Sequence, residues 1–391
     1  MKYLKSFNGE RLKTARLLKG LETGELAKEL GVKRQTISMY ETGKISIPEF
    51  SKIQKMSQIL GFPVDFFLSD NVSSVQFSKS VYFRSLLTTG KKYRTEQELK
   101  ISLVSTIYAY LSEYINFQKL NLPEIDVEDD IENTALKLRK HWNLGLDPIN
   151  NLIFQAENNG IIVTSFDTST NDIDAFSQKA VFSDEDHYII ALSQNKNTAA
   201  RLHFDVAHEL GHILLHSWND DIDSLSSEEF REREQEANDF ASAFLLPKET
   251  FYKDIAAYSD KLDYYIELKK KWKVSVAAMI RRSKNLDIIN YDKYQWLMRE
   301  MQKRGIRKFE PYDDILITAK PSIFQTAIDM LINEDILTAN DIIKELSDEY
   351  NLTLYPEYIE LLLGLNKGTL KFNSAQPLHL FELKQSKTQQ G

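Results

Sequence analysis

Apolar residues recur at helical spacing through most of the chain, and only one stretch reads as strands. Leu12, Ala15 and Leu18 line a helix over Gly9–Lys19. Thr23 is placed to cap a second helix, Gly24–Leu30, which Gly31 ends. A third helix over Lys33–Glu41 closes at Gly43, and Pro48 opens a fourth that runs to Leu60 before Gly61. Phe66 and Phe67 complete the core of this unit, and Asp70–Ser80, polar and rich in Asn and Ser, reads as a linker. Leu99, Leu103, Ile107 and Leu111 mark a long helical stretch over Arg94–Leu120, and Thr134–Trp142 forms another helix. Gly160–Phe166, Ala175–Phe182 and His187–Ser193 are rich in β-branched and aromatic residues and predict strands, with a polar loop at Asp167–Asp172. Helices follow over Thr198–Ser217, Ser227–Leu246, Trp272–Lys284 and Tyr291–Arg304, and Pro311 and Pro321 punctuate a last region that ends near Leu383.

The expected fold class is therefore α+β and mostly helical. The organisation it implies is an all-α module over 1–70, a linker and helical connector over 71–130, and a domain with a small sheet over 131–285. A helical C-terminal domain over 286–383, suited to sensing or dimerisation, and a disordered tail over 384–391 complete the chain.

Charge sharpens this division. The 391 residues carry 49 Lys and Arg against 57 Asp and Glu, a net charge of −8. Within residues 1–70 the balance reverses, with twelve basic residues against eight acidic ones. A basic front on an acidic chain fits a separate module with a polyanionic partner. No cysteine is present, which excludes disulfides, thiolate-held metals and a thiol nucleophile. Any metal must be held by His, Asp or Glu. The start, MKYLKSF, is too short in apolar length for a signal peptide, and Ile101–Leu111 is about half a membrane span. The sequence predicts a cytoplasmic protein with no membrane partner.

The strongest chemical signal is His208-Glu209-Leu210-Gly211-His212. On a helix, residues i and i+4 lie on one face, so His208 and His212 can hold a single zinc ion. Glu209 sits beside the first imidazole, where a general base for peptide hydrolysis belongs. The flanking Leu202, Phe204, Val206, Ile213 and Leu214 make the helix apolar enough to be buried, and burying two His and a Glu is costly unless they are paired or liganded. A third ligand is expected from Ser227–Leu246. There Glu234 and Glu236 flank the apolar face on opposite sides, and periodicity does not choose between them.

In the front module, Leu26–Val32 followed by Ile37 and Tyr40 forms a helix, a tight Gly turn and a second helix. The second helix presents Lys33, Arg34, Gln35, Thr36 and Ser38 outward, residue types suited to base edges. Lys28 and Lys44 are placed for phosphates.

Two resemblances follow from these motifs. Residues 8–68, through ELAKELGVKRQTISMYETGK, resemble Xre/Cro-type helix-turn-helix regulators. Residues from about 130 to 285, through RLHFDVAHELGHILLH and EANDFASAFLLP, resemble the ImmA/IrrE family of zincin-like metallopeptidases. The second resemblance implies zinc (with manganese also compatible) held by His208, His212 and Glu236, and Glu209 as catalytic base. Together they imply a DNA-binding regulator, dimeric on a double-stranded operator, whose endopeptidase cuts a helix-turn-helix repressor or itself under stress or in a mobile element. The alternative is a repressor whose peptidase-like domain senses without cleaving. Val274–Val276 ahead of a helix carrying Arg281 and Arg282 suits either DNA binding or bracing of the catalytic domain, and bracing is the expectation. The strand Ala175–Phe182 is expected to be a sheet edge that pairs with an extended substrate.

Overall fold

A computed structural model describes residues 6–45, 48–70, 76–83, 91–126, 128–166, 175–182, 185–193, 198–218, 224–317 and 319–371. The expected loop Asp167–Asp172 and the expected tail 384–391 lie outside the described residues.

The front module contains α1 (Gly9–Leu18), α2 (Thr23–Leu30), α3 (Arg34–Glu41) and α4 (Phe50–Leu60), closed by a short 3₁₀ turn over Val64–Leu68. Glu22 rather than Thr23 is the cap of α2, through a capping box with Glu25. Gly31 leaves α2 with φ of 71°, a conformation that favours glycine and makes the sharp corner before α3. Leu12, Leu26, Ile37, Tyr40, Phe66 and Phe67 form the centre. The buried Arg16 guanidinium bonds both carboxylate oxygens of Glu41 at 2.6 and 3.0 Å, tying α1 to the end of α3.

The next element corrects the sequence reading. Within the expected linker, residues from Gln76 form a strand, β1 (Gln76–Phe83). The long connector helix, α5 (Lys91–Leu111), stops well before Leu120. After α6 (Ile131–His141) and α7 (Leu152–Asn158) come β2 (Ile162–Phe166), β3 (Ala175–Phe182) and β4 (Glu185–Ser193). The four strands lie in the order β1-β3-β4-β2. β1 and β3 are antiparallel, as are β3 and β4, while β2 runs parallel to β4. β3 is therefore an inner strand, and the expectation that it forms the sheet edge is overturned by the pairing of β1 along it.

Both sheet faces are covered, which explains the near-continuous apolar runs of β2 and β4. Ile162, Phe176, Ile189 and Ala191 face a core shared with the front module, α5 and the helices α14 (Ile323–Asn333), α15 (Ala339–Asp348) and α16 (Pro356–Leu363). Their alternate neighbours Val163, Ala175, Ile190 and Leu192 face a second core. That core contains α8 (Ala199–Leu215), α9 (Ser227–Leu245), α10 (Lys248–Ile255), α11 (Leu262–Trp272), α12 (Val276–Asn285) and α13 (Tyr291–Lys303).

The helix expected over Trp272–Lys284 begins later, at Val276, and Trp272 instead ends the preceding helix. Lys273 turns left-handed with φ of 52° at the end of α11, and Ser275 caps α12. Arg282 is buried, bonds both carboxylate oxygens of Glu132 and donates to the carbonyl of Leu246 at 3.0 Å. It joins α12 to α6 and the end of α9, as the bracing reading expects. The C-terminal helices are docked by polar contacts as well. Thr164 Oγ1 donates to the Leu362 carbonyl at 3.1 Å, and the buried Glu157 carboxylate accepts from Ser322 and Ile323. Among the described residues, no helix is long and apolar enough to cross a membrane.

Candidate functional site

α8 begins at its cap Thr198, whose side chain accepts from the backbone N–H of Arg201 at 3.3 Å. It runs across the sheet with Val206, Ala207 and Leu210 buried. α9 is set by a capping box between Ser226 and Glu229 and by a stripe of Phe230, Ala237, Phe240, Ala241 and Phe244. The two helices meet at Gly211. A Cβ there would lie 3.0 Å from the Cα of Ala237 and 3.2 Å from its carbonyl oxygen. The glycine inside the His-Glu-Leu-Gly-His motif is thus what lets α9 approach.

That approach brings a carboxylate onto the two imidazoles. His208 Nε2 lies 3.4 Å from Oε2 of Glu234, and His212 Nε2 lies 3.2 Å from its Oε1. The two Nε2 atoms are 3.1 Å apart. His208, His212 and Glu234 form a cluster whose ligand atoms all lie within 4.8 Å of one another. Both histidines are fully buried, and the Glu234 side chain is 14% exposed. Burial alone would raise the Glu234 carboxyl. Hydrogen bonds from His208 and His212, with their charge, outweigh it and hold the group down at about 2. Two imidazoles and a carboxylate are a donor set that fits a divalent cation of the zinc class.

The structure does not bring Glu236 to this cluster. Its carboxylate lies 3.0 Å from Nε2 of His216 and its side chain is 51% exposed, facing a cleft of about 820 Å³. Glu234, and not Glu236, is the glutamate that lies beside the two imidazoles. Glu234 falls in line with Phe230, Ala237 and Ala241 at intervals of three and four residues, on the face that meets α8. Glu236, two residues on, points to the side.

His216, one helical turn beyond His212, is linked to the cluster. Its Nδ1 lies 2.9 Å from Nδ1 of His212. Burial and then the charge of His212 push its imidazole down to about 4, against the opposing effect of Glu236.

Glu209 is fully buried, and its Oε2 accepts a 2.5 Å hydrogen bond from Ser177 Oγ on β3. Ser177 carried no signal in the sequence. Only the alternation that puts Ala175 toward α8 indicates that Ser177 faces the same way.

In the front module the outward face of α3 is open. Arg34, Gln35 and Ser38 are exposed and Thr36 half-buried, while Ile37 and Tyr40 hold the helix to the core. Lys33 is the cap residue of α3 and is exposed, as are Lys28 and Lys44. All seven residues lie on α2, α3 and the turns at either end of α3.

Residues 12–67 match the helix-turn-helix family, and residues 156–284 match the IrrE N-terminal-like domain of the M78 peptidase family. The chain combines a DNA-binding helix-turn-helix domain with a domain of a metallopeptidase family. It matches no curated protein.

Proposed function

We propose, for a chain that joins a helix-turn-helix domain to an IrrE N-terminal-like domain, that it is a DNA-binding transcriptional regulator with a zinc-dependent endopeptidase. Cleavage of a repressor-type protein, or of the chain itself, relieves repression in a stress or mobile-element response. The observation that carries this reading is the convergence of His208, His212 and Glu234, with Glu209 fixed beside them.

His208 and His212 would hold the ion through Nε2 and Glu234 through a carboxylate oxygen. Zinc suits this donor set best, and manganese is compatible with it. When bound, the ion supplies Lewis acidity toward water and a peptide carbonyl. Glu209 accepts a proton from the attacking water and delivers it to the leaving amine nitrogen. Ser177 holds one oxygen of Glu209 so that the carboxylate keeps a fixed direction.

His212 is oriented by a relay. With Nε2 given to the ion, His212 would carry its proton on Nδ1 and donate it to Nδ1 of His216. His216 then keeps its own proton on Nε2 and donates it to Glu236. Glu236 therefore supports the centre from two contacts away, the arrangement that fixes a ligand's tautomer in metal sites.

The exposed residues of α3 would enter the major groove, with Arg34 and Gln35 on base edges and Lys28, Lys44 and Lys33 near phosphates. A homodimer on paired half-sites follows from that mode of reading, and the protein acts in the cytoplasm. A second reading keeps the fold as a sensor without turnover, and the covering of β3 by β1 favours it.

The test is the purified zinc-loaded chain against Glu209→Gln, with an unfolded casein as substrate. The proposal expects equal zinc content in the two and cleavage by the first alone. Equal cleavage by both would remove Glu209 from the mechanism, and none by either would favour the sensor.

A further inference from the structure

β1 lies outside both recognised domains, between residue 67, where the helix-turn-helix match ends, and residue 156, where the peptidase match begins. It runs antiparallel along the outer side of β3, with Tyr82 opposite Ser177 and Phe83 opposite Phe176. Ser177 is the residue that touches Glu209. The backbone of Tyr82 thus passes about one strand spacing, roughly 4.8 Å, from the residue that bonds the general base. Without β1, β3 would be the open edge of the sheet beside the metal cluster, presenting a row of N–H and C=O groups to any extended peptide.

The pairing of β1 is interrupted as well as extended. Phe77 faces Ala180 and Val81 faces Gln178, so four steps on β1 span two on β3 and the register shifts between them. Residues 81–83 resume regular pairing opposite the stretch of β3 that carries Ser177. Breaks of this kind are frequent in strands at a sheet edge and beside active sites, where they end or re-aim the pairing.

We infer that the outer edge of β3 is the peptide-binding edge of the peptidase domain, and that residues 76–83 are its resident peptide. This inference rests on reading the domain as a peptidase, and names what occupies its substrate edge in the resting chain. The occupant is held in cis at an effective concentration on the order of millimolar. A substrate offered at micromolar concentration must wait for β1 to leave.

The experiment uses full-length, zinc-loaded chains carrying Glu209→Gln, so that nothing is cut. A dye-labelled synthetic peptide with the sequence of residues 76–83 is titrated by fluorescence anisotropy. One chain keeps β1 intact. In another, Val81→Pro and Tyr82→Pro are combined. Alternate N–H groups of a strand face its neighbour, so two adjacent prolines remove one that faces β3 whichever residue carries it. A third chain replaces residues 76–83 with a Gly-Ser repeat of equal length, in case the prolines disturb folding. Circular dichroism and zinc content verify each chain. The inference expects the peptide to bind the two altered chains at least tenfold tighter than the intact one. Equal affinity for all three, or no binding to an altered chain that folds and holds zinc, would overturn it. Cleavage is then read separately with Glu209 restored. Peptide binding without any cleavage by the altered chains would keep the resident strand and remove the peptidase reading. Cleavage of casein at one rate with and without β1 would keep the peptidase and remove the resident strand. A zinc-dependent cut of the unaltered chain within residues 76–83 would support both.

Discussion

Ser177 Oγ donates a 2.5 Å hydrogen bond to Oε2 of Glu209, joining the third strand of the sheet to the acidic residue of the His-Glu-Leu-Gly-His helix. Both residues are fully buried, so the contact is not shared with bulk water. Hydrogen bonds to an ionised group are stronger than neutral ones, and this one fixes which way the carboxylate faces. Ser177→Ala is expected to lower turnover about tenfold while leaving zinc affinity unchanged. Steady-state cleavage of a disordered substrate and a zinc titration measure the two quantities side by side. A loss of zinc affinity matching the loss of turnover would make Ser177 structural only.

The two glutamates of α9 should separate cleanly. Glu234→Ala removes a carboxylate lying 3.2 and 3.4 Å from the imidazoles, and is expected to abolish tight zinc binding. Glu236→Ala cuts the far end of the relay through His216, so affinity should fall only about 10- to 100-fold. Competition with a chromophoric chelator gives both constants. Near-normal affinity in the Glu234 variant would return the third position to Glu236.

His203 lies on α8, fully buried. Burial first, and then the charge of Lys273, lower its imidazole from 6.5 to about 4. Between those values the unfolded chain binds the proton and the folded chain does not. Stability from this group is complete above pH 6.5 and is lost as the pH falls toward 4, by about 3 kcal/mol at most. Urea unfolding of metal-free protein at pH 7 and pH 5 should show a smaller loss in His203→Gln than in the parent chain. Equal losses would mean that His203 is not held neutral.

DNA binding should divide by residue type. Arg34→Ala and Gln35→Ala are each expected to weaken binding to a specific operator by about 1–3 kcal/mol and to relax the sequence preference. Lys28→Ala and Lys44→Ala should weaken all sequences alike, each lowering the slope of log affinity against log salt by about one. Operator selection from a random pool, followed by salt titrations, distinguishes the two patterns.

Much of this was legible in the chain. Most helices with strong apolar periodicity lie close to where the pattern puts them, and the corner at Gly31 follows from a residue free to take a positive φ. Residues 208, 209 and 212 are close because helical spacing makes them so. What places Glu234 rather than Glu236 beside the imidazoles is not local. It is the approach of α9 to Gly211 at Ala237, a tertiary contact that places one face of α9 against α8. The stretch Glu-Gln-Glu-Ala-Asn contains two glutamates; the resemblance implies the one adjacent to Ala237, whereas the one a turn before Ala237 faces the imidazoles.

β1 was hidden for a different reason. Residues 76–83 are interrupted by Ser78, Lys79 and Ser80 and follow an Asn- and Ser-containing stretch, so their local preference is weak. They form a strand because β3 offers an edge. Ser177 was likewise invisible, since a serine within a strand carries no chemistry until its neighbour on the next layer is known.

The most direct test of the whole account is made in cells. New protein N-termini are compared between cells carrying the parent chain and cells carrying Glu209→Gln, with and without DNA damage. The account predicts a small number of cuts present only with the parent chain, in a helix-turn-helix repressor or in this chain itself. Identical N-termini in both strains under both conditions would contradict it.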